Sequence, residues 1–315
     1  MSMTQVSSVD SVVAAYNLAA DLALRPVLYF DQVATVKPTH QAHQGGTVVF
    51  TLWDDLAPNV TPLTETSDVN SVAMSDTQVT VTLAEYGNAV TTTAKLRGTG
   101  FLGYDADAAE KIGWNAGLSV DRLARTELQA GSNVRYAGNA TARNTVGPDD
   151  TIDGDDTKYA AAKLRGANAP GWNGMSYAGF IHPDVSYDYR SSVGTNDWDD
   201  AAIRNEGGAR VWNGQIGRHN GIDWIETPTA PFVADAGSST TLTDVYLTLV
   251  VGKGCLAKAY SRTESAERPQ VRVGPVTDKL SRFHHVGWYW LGGYKRYREE
   301  CIYRIEASSS IGANA

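Results

Sequence analysis

A length of 315 residues suits one large domain or two medium ones, and a composition of 42% hydrophobic and 20% charged residues excludes a disordered or fibrous chain. The 27 Lys and Arg against 35 Asp and Glu leave a net charge of -8, the wrong sign for a main surface that grips nucleic-acid phosphates by counterion release. Cys255 and Cys301 lie outside any C-x-x-C spacing, so neither a disulfide framework nor a zinc site is expected; without a basic-then-apolar leader or an apolar run of about 20 residues, neither is secretion or membrane insertion.

From residue 10, Val12, Val13, Tyr16, Leu18, Ala19, Leu22 and Ala23 recur with a helical period that stops before Arg25-Pro26, which predicts an amphipathic arm. Gly45-Gly46 open a strand over Thr47–Trp53, and a second strand, Thr77–Leu83, alternates Val79, Val81 and Leu83 with Gln78, Thr80 and Thr82. The polar stretch between them, with Pro58 and Pro62, is too long for a tight hairpin turn; connections beyond about 12–15 residues are commonly functional, so 54–75 is expected to project.

Asp105–Ala130 is the longest helical candidate, with Asp105 at the N-cap, Gly131 as the stop, and Ile112, Leu118, Leu123 and Leu128 marking its apolar face. Gly113 and Gly117 weaken it by ~1 kcal/mol each, so it needs a packing partner. The stretch 131–157 reads as a loop, followed by a short helix over Lys158–Arg165 that ends at Gly166. From Trp172, short apolar segments broken by Gly, Asp and Pro suggest a mixed α/β unit closing on a strand, Val245–Val251. Three further strands are expected at Gln270–Val273, Phe283–Leu291 and Cys301–Ala307, the last alternating Ile302, Arg304 and Glu306 with Tyr303 and Ile305.

Several motifs invite a chemical reading and fail on context. Gly98-Thr-Gly100-Phe-Leu-Gly103 has the form of a dinucleotide turn, but the strand before it alternates as a half-exposed one and the helix after it leads into a polar loop. Gly174-Met-Ser176-Tyr-Ala178 lacks the last glycine of a nucleophile elbow, and Gly252-Lys253-Gly254 lacks the rest of a phosphate loop. Asp149, Asp150, Asp153, Asp155 and Asp156 miss the calcium-loop register and read as a solvated acidic loop. His284 and His285 are adjacent on a strand and face opposite ways, and His40 and His43 have no acidic neighbours at ligand spacing. Trp288, Tyr289 and Trp290 read as core or interface residues; Lys295, Arg296 and Arg298 beside them allow at most a minor nucleic-acid contact.

The order of arm, projecting two-stranded loop, long helix, α/β module and returning strands resembles the major capsid proteins of tailed bacteriophages with the Hong Kong 97-like fold, in particular the family typified by the coliphage N-four capsid protein. The residues that carry the likeness are Arg25 with Phe30-Asp31-Gln32, Gly46-Thr47-Val48-Val49-Phe50, Thr61-Pro62-Leu63-Thr64-Glu65, Glu85-Tyr86-Gly87-Asn88-Ala89-Val90, His182-Pro183-Asp184 with Asp188-Tyr189-Arg190, and Gly214-Gln215-Ile216-Gly217. The chain departs from that pattern at Tyr189, Gln215 and Thr66, where the family favours Leu, Glu and Gly.

The resemblance implies an α+β protein with an N-terminal arm (1–45), an extended loop (46–96), a peripheral domain (97–157 and 261–315, spine helix about 105–130, its sheet completed by 261–315) and an axial domain (158–260). It further implies hexamers and pentamers of this chain in an icosahedral shell around double-stranded DNA, with at most weak non-specific contact to it. Scaffolding, portal and decoration proteins would be further partners, and the shell would be assembled in the host bacterial cytoplasm and end in the virion. No catalytic residue, cofactor, metal or membrane is implied. A projecting loop cannot bury its own apolar residues, so Val48, Phe50, Leu52, Trp53 and Leu63 are the candidate inter-subunit contacts. The rival readings are an encapsulin-like nanocompartment shell and, in a different class, a nicotinamide-dependent oxidoreductase built on the Gly98–Gly103 turn.

Overall fold

The computed structural model describes residues 29–38, 46–63, 65–66, 68–69, 71–100, 104–192, 215–238, 242–273, 279–280 and 282–311. The arm helix expected from residue 10, and with it Arg25, His40 and His43, lies outside them.

The described chain begins with a 3-10 turn, Phe30–Val33, that buries Phe30 and Val33 and delivers β1 (Ala34–Pro38) parallel to β11 (Leu256–Tyr260). β11 pairs antiparallel with β13 (Phe283–Arg296), whose 14 residues run past the expected end at Leu291. β12 (Gln270–Val273) lies on the same edge of β13 as β11, and β4 (Ala84–Thr93) covers the other edge from Thr93 opposite Phe283 to Ala84 opposite Gly292. A short helix, α1 (Ala94–Thr99), follows β4, and Thr93 caps it by accepting the Leu96 amide.

Against this five-stranded sheet lies α2 (Tyr104–Gln129), 26 residues long. Its buried stripe is Ile112, Ala116, Val120, Ala124 and Leu128, one residue per i, i+4 step. Leu118 and Leu123 are not on that stripe; both are half-buried on its flanks, with Leu123 touching the edge of the core. Ala116 and Ala124 occupy the contact line because a small side chain lets the helix approach the sheet, so the bulkiest residues do not mark the seam. Val120→Asp is therefore expected to bury an unpaired carboxylate and yield unfolded, insoluble protein, whereas Leu118→Asp should remain soluble; expression yield and circular dichroism of the two variants check this.

The second sheet has the order β5 (Val134–Tyr136), β14 (Ile302–Ala307), β10 (Val245–Val251), β6 (Tyr177–Ile181), β8 (Ile222–Glu226), β7 (Gln215–His219), with the short β9 (Phe232–Val233) pairing the start of β10. Every residue of β10 is buried, Thr248 among them, as its largely apolar run leads one to expect. β7 and β8 meet at Asn220-Gly221, both with positive φ (55° and 78°), the left-handed backbone that a two-residue hairpin turn requires.

Two helices accompany this sheet, α3 (Gly154–Gly166) and α4 (Pro183–Ser192). α3 starts four residues before the expected Lys158 because Asp153 accepts the Asp156 amide at 2.8 Å and the Asp156 side chain faces back to the Asp153 amide, a capping box. This accounts for much of the acidic loop: Asp156 is held by Arg135 at 2.5 Å, and Asp150 accepts the Gly147 amide at 2.8 Å. Tyr189, at a position where the resemblance expects leucine, is 1% exposed, and its hydroxyl bonds Thr157 (3.0 Å) and His219 Nδ1 (2.6 Å), tying α3, α4 and the β7–β8 turn together.

Two sequence expectations need correction. The alternation in 302–307 implied one exposed face, yet all six residues of β14 are buried, because the strand is covered on both sides and its charges are paired with each other. The sheets also cross the boundaries drawn from the sequence. β11, expected in the axial unit, pairs β13; β14, expected to complete the peripheral sheet, pairs β10 and β5; and β4, expected in the extended loop, is a full strand of the first sheet.

Candidate assembly interface

β2 (Thr47–Trp53) and β3 (Asp76–Thr82) pair antiparallel from Thr47 opposite Thr82 to Trp53 opposite Asp76. Period-2 alternation sends Val48, Phe50 and Val81 to one face, where they are buried against Ala257 and Ala259 of β11, with Val79, Leu83 and Tyr297 beside them. The Phe50 and Tyr297 rings lie 5.6 Å apart, Tyr297 donates its hydroxyl proton to the Thr51 carbonyl at 3.0 Å, and Lys37 donates to the Val49 carbonyl at 2.9 Å. β3 passes so close to β13 that any Cβ at residue 293 would strike the Thr82 carbonyl, which requires Gly293.

Val48 and Phe50, expected to need a neighbour's surface, are thus covered by their own chain: the strands lie back on the first sheet at their base instead of standing free. Leu52 is half-buried, while Trp53 and Leu63 remain 60% and 69% exposed. Beyond the last pair, Asp54 donates its amide to the Ser75 carbonyl (3.1 Å) and accepts from the Ser75 hydroxyl (2.8 Å), closing the mouth of the loop. Past that closure Leu56, Val60, Val69, Val72 and Met74 are all exposed, an apolar concentration that a protein meant to stay monomeric would hide. From residue 54 to 94 there is no Lys, Arg or His, only acids such as Asp54, Asp55, Glu65 and Asp68, so the surface is both apolar and negative.

Phe50→Ala should therefore destabilise the isolated subunit by about 3–5 kcal/mol in urea unfolding, as emptying a packed aromatic site does. Trp53→Ser should move that midpoint by less than about 0.5 kcal/mol and act on assembly instead.

A second constellation, unmarked in the sequence apart from Asp31, lies under the 3-10 turn. Lys258 is 1% exposed and gives Nζ to Asp31 Oδ1 (2.7 Å) and Oδ2 (3.0 Å); Tyr294 donates its hydroxyl to Asp31 Oδ1 (2.5 Å). The Asp31 amide donates in turn to Asp121 Oδ1 on α2 (3.1 Å). Burial pushes the Asp121 carboxyl up to about 6 and raises the Tyr294 phenol, the latter also because the Asp31 carboxylate is beside it. The cluster pins the start of the described chain to the helix and the sheet; nothing in the local spacing of Asp121, Lys258 or Tyr294 announces it.

The remaining motifs find structural explanations. Gly98 lies inside α1, and the strand before it, β4, runs antiparallel to β13, so the strand-turn-helix of a parallel dinucleotide unit is not formed; residues 101–103 lie outside the described chain. Ser176 is a buried turn serine that donates to Asp223 Oδ2 (2.7 Å) and accepts from Arg218 (2.9 Å). His285 bonds Thr91 (2.9 Å) while His284 faces Arg97 (3.2 Å). Among the described residues no group of three or more His, Cys, Asp or Glu is placed to hold a metal. Cys255 and Cys301 are both buried and unbonded to each other, and burial pushes the Cys255 thiol up to about 12.

The phage capsid protein family matches the chain over residues 9–303. No curated protein matches it in sequence. Among solved structures, the capsid of Ralstonia phage GP4 superposes with a TM-score of 0.71 at 14% identity, covering 92% of this chain and 90% of that one. The capsid of cyanophage P-SCSP1u gives 0.67 at 13% identity (91% and 90% covered), and the capsid asymmetric unit of cyanophage Pam1 gives 0.66 at 14% (89% and 90%).

Proposed function

Because this chain belongs to the phage capsid protein family, we propose that it is the repeating subunit of an icosahedral head of a tailed phage, closed from hexamers and pentamers around double-stranded DNA. Its fold is the Hong Kong 97-like one shared with those capsids, and it is a major capsid protein. The finer assignments rest on physical arguments. The observation that carries self-assembly is the apolar, acidic loop 54–75, exposed on a hairpin whose base is already satisfied within the subunit. Trp53 and Leu63 are the proposed inter-subunit contacts, with Leu52 at their margin, whereas Val48 and Phe50 pack within the subunit.

We assign the first sheet with α2 to the peripheral domain and the second sheet with α3 and α4 to the axial domain. The role is structural and not catalytic, and the negative net charge suits a container that does not cling to packed nucleic acid. Assembly in the host cytoplasm, service by scaffolding, portal and decoration proteins, and kinship with the coliphage N-four capsid protein belong to the same proposal.

Sedimentation velocity of the purified full-length chain tests it. Ring-sized or larger species that dissociate in Trp53→Ser and Leu63→Ser double variants support assembly through the loop. A single 33.9 kDa monomer at every concentration, with or without a scaffold, contradicts it.

A further inference from the structure

Between the 3-10 turn, the helix α2 and the turn before β12 there is a cavity of about 410 Å³, lined by Asp31, Gly113, Ala116, Asp121 and Arg268 among others. Its size falls in the range of small-molecule sites, roughly 300–1,000 Å³. Two independent features mark it as more than a packing defect. A Cβ at Gly113 would meet nothing within 4 Å, so the helix-weakening glycine there leaves open a space that a larger side chain would fill. Asp121 is 1% exposed, and its Oδ2, unlike its Oδ1, has no hydrogen-bond partner.

A buried carboxylate oxygen is an acceptor that must be met by a donor, and none of the side-chain donors around it reaches Oδ2. Lys258 and Tyr294 are spent on Asp31, and Arg125, one turn along the same helix, donates Nη1 to the Thr229 carbonyl at 2.6 Å while its buried Nε bonds neither that carbonyl nor Asp121. Arg268 stands exposed at the rim. We propose that this cavity binds a protonated amine or guanidinium carried on a short apolar stem, its N–H groups meeting Asp121 Oδ2 and its stem lying along Gly113 and Ala116. Either a free organic amine or a Lys or Arg side chain of a neighbouring copy supplies that chemistry. A free-amine site is independent of whether the chain builds a shell, whereas occupation by a neighbour's side chain rests on that reading.

The cation needs the ionised carboxylate. Because burial raises the Asp121 pKa to about 6, occupancy should be full at pH 8 and lost as the pH falls through that value; the other groups that face it are Asp31, Lys258, Arg125, Arg268 and Tyr294, whose phenol burial holds in its neutral form.

The test is isothermal titration calorimetry of phenethylammonium chloride into the full-length chain, as dissociated subunits and as any assembled particles, with 2-phenylethanol as the uncharged control. At pH 8 the ammonium should bind saturably and at least tenfold more tightly than the alcohol. Binding should weaken at least tenfold at pH 5, in Asp121→Asn, and in Gly113→Leu, which fills the cavity but keeps the carboxylate. Uptake by particles as well as subunits identifies a free-amine site; uptake by subunits alone, with slowed assembly, identifies a neighbour's side chain. No saturable binding at pH 8, or binding unchanged in both variants, overturns the proposal.

Discussion

Replacing Glu306 with alanine is expected to destabilise the subunit by about 3–5 kcal/mol, enough to leave little folded protein. Glu306 is fully buried on β14 and holds two arginines: Arg143 grips both of its oxygens (2.7 and 2.6 Å), and Arg304, two residues away on the same face, gives Nε to Oε1 at 2.7 Å. Arg304 also donates to the carbonyls of Gln129 and, at 2.8 Å, of Gly131, where α2 ends and its last carbonyls lack helical partners. The network therefore joins the end of the helix to the middle of the second sheet. Removing the carboxylate strands a guanidinium that is 9% exposed. The double variant Arg304→Met with Glu306→Leu should lose less than Glu306→Ala alone, because no charge is then left unpaired. Urea unfolding of the three proteins decides; equal losses for the single and double variants would mean that packing, and not charge pairing, holds this junction.

Deleting residues 55–74 and joining Asp54 to Ser75 through a short glycine linker should leave a folded subunit that forms no closed particle. The deletion keeps the β2–β3 register, the buried base formed by Val48, Phe50 and Val81, and the Asp54–Ser75 closure, so the far-ultraviolet spectrum and unfolding midpoint should stay near those of the parent. What disappears is the exposed apolar surface of Leu56, Val60, Leu63, Val69 and Val72. Normal particles from the deleted chain would show that assembly runs through another surface; an unfolded product would show that the loop packs on its own subunit.

The strands 47–53 and 245–251, the long helix and the projecting loop were legible because each depends on a local pattern: alternation, a largely apolar run, a helical period bounded by glycine, a polar stretch too long for a turn. The long helix was found but its buried seam was misjudged, since Ala116 and Ala124 make the contact by being small. β14 was found but read as half-exposed, since Arg304 and Glu306 look like surface residues until Arg143, more than a hundred and fifty positions earlier in sequence, is placed beside them. The Asn220-Gly221 turn carries a strong local signal, yet the flanking strands contain Gly217, Arg218 and Asp223 and do not read as a hairpin; Asp223 is buried only because Arg218 and Ser176 engage it. The same limit applies to the proposed assembly site. Trp53 at the end of its strand and Leu63 on the polar loop were visible as apolar residues, but whether Val48 and Phe50 faced a neighbour or their own sheet depended on β11, about two hundred residues away.

Electron microscopy of particles formed by the full-length chain bears on shell building most directly. Closed shells whose subunits stand in rings of six and five, each with its 54–75 loop lying across an adjacent copy, are the expected outcome. Dispersed monomers, or shells in which every 54–75 loop points into solvent, would contradict it.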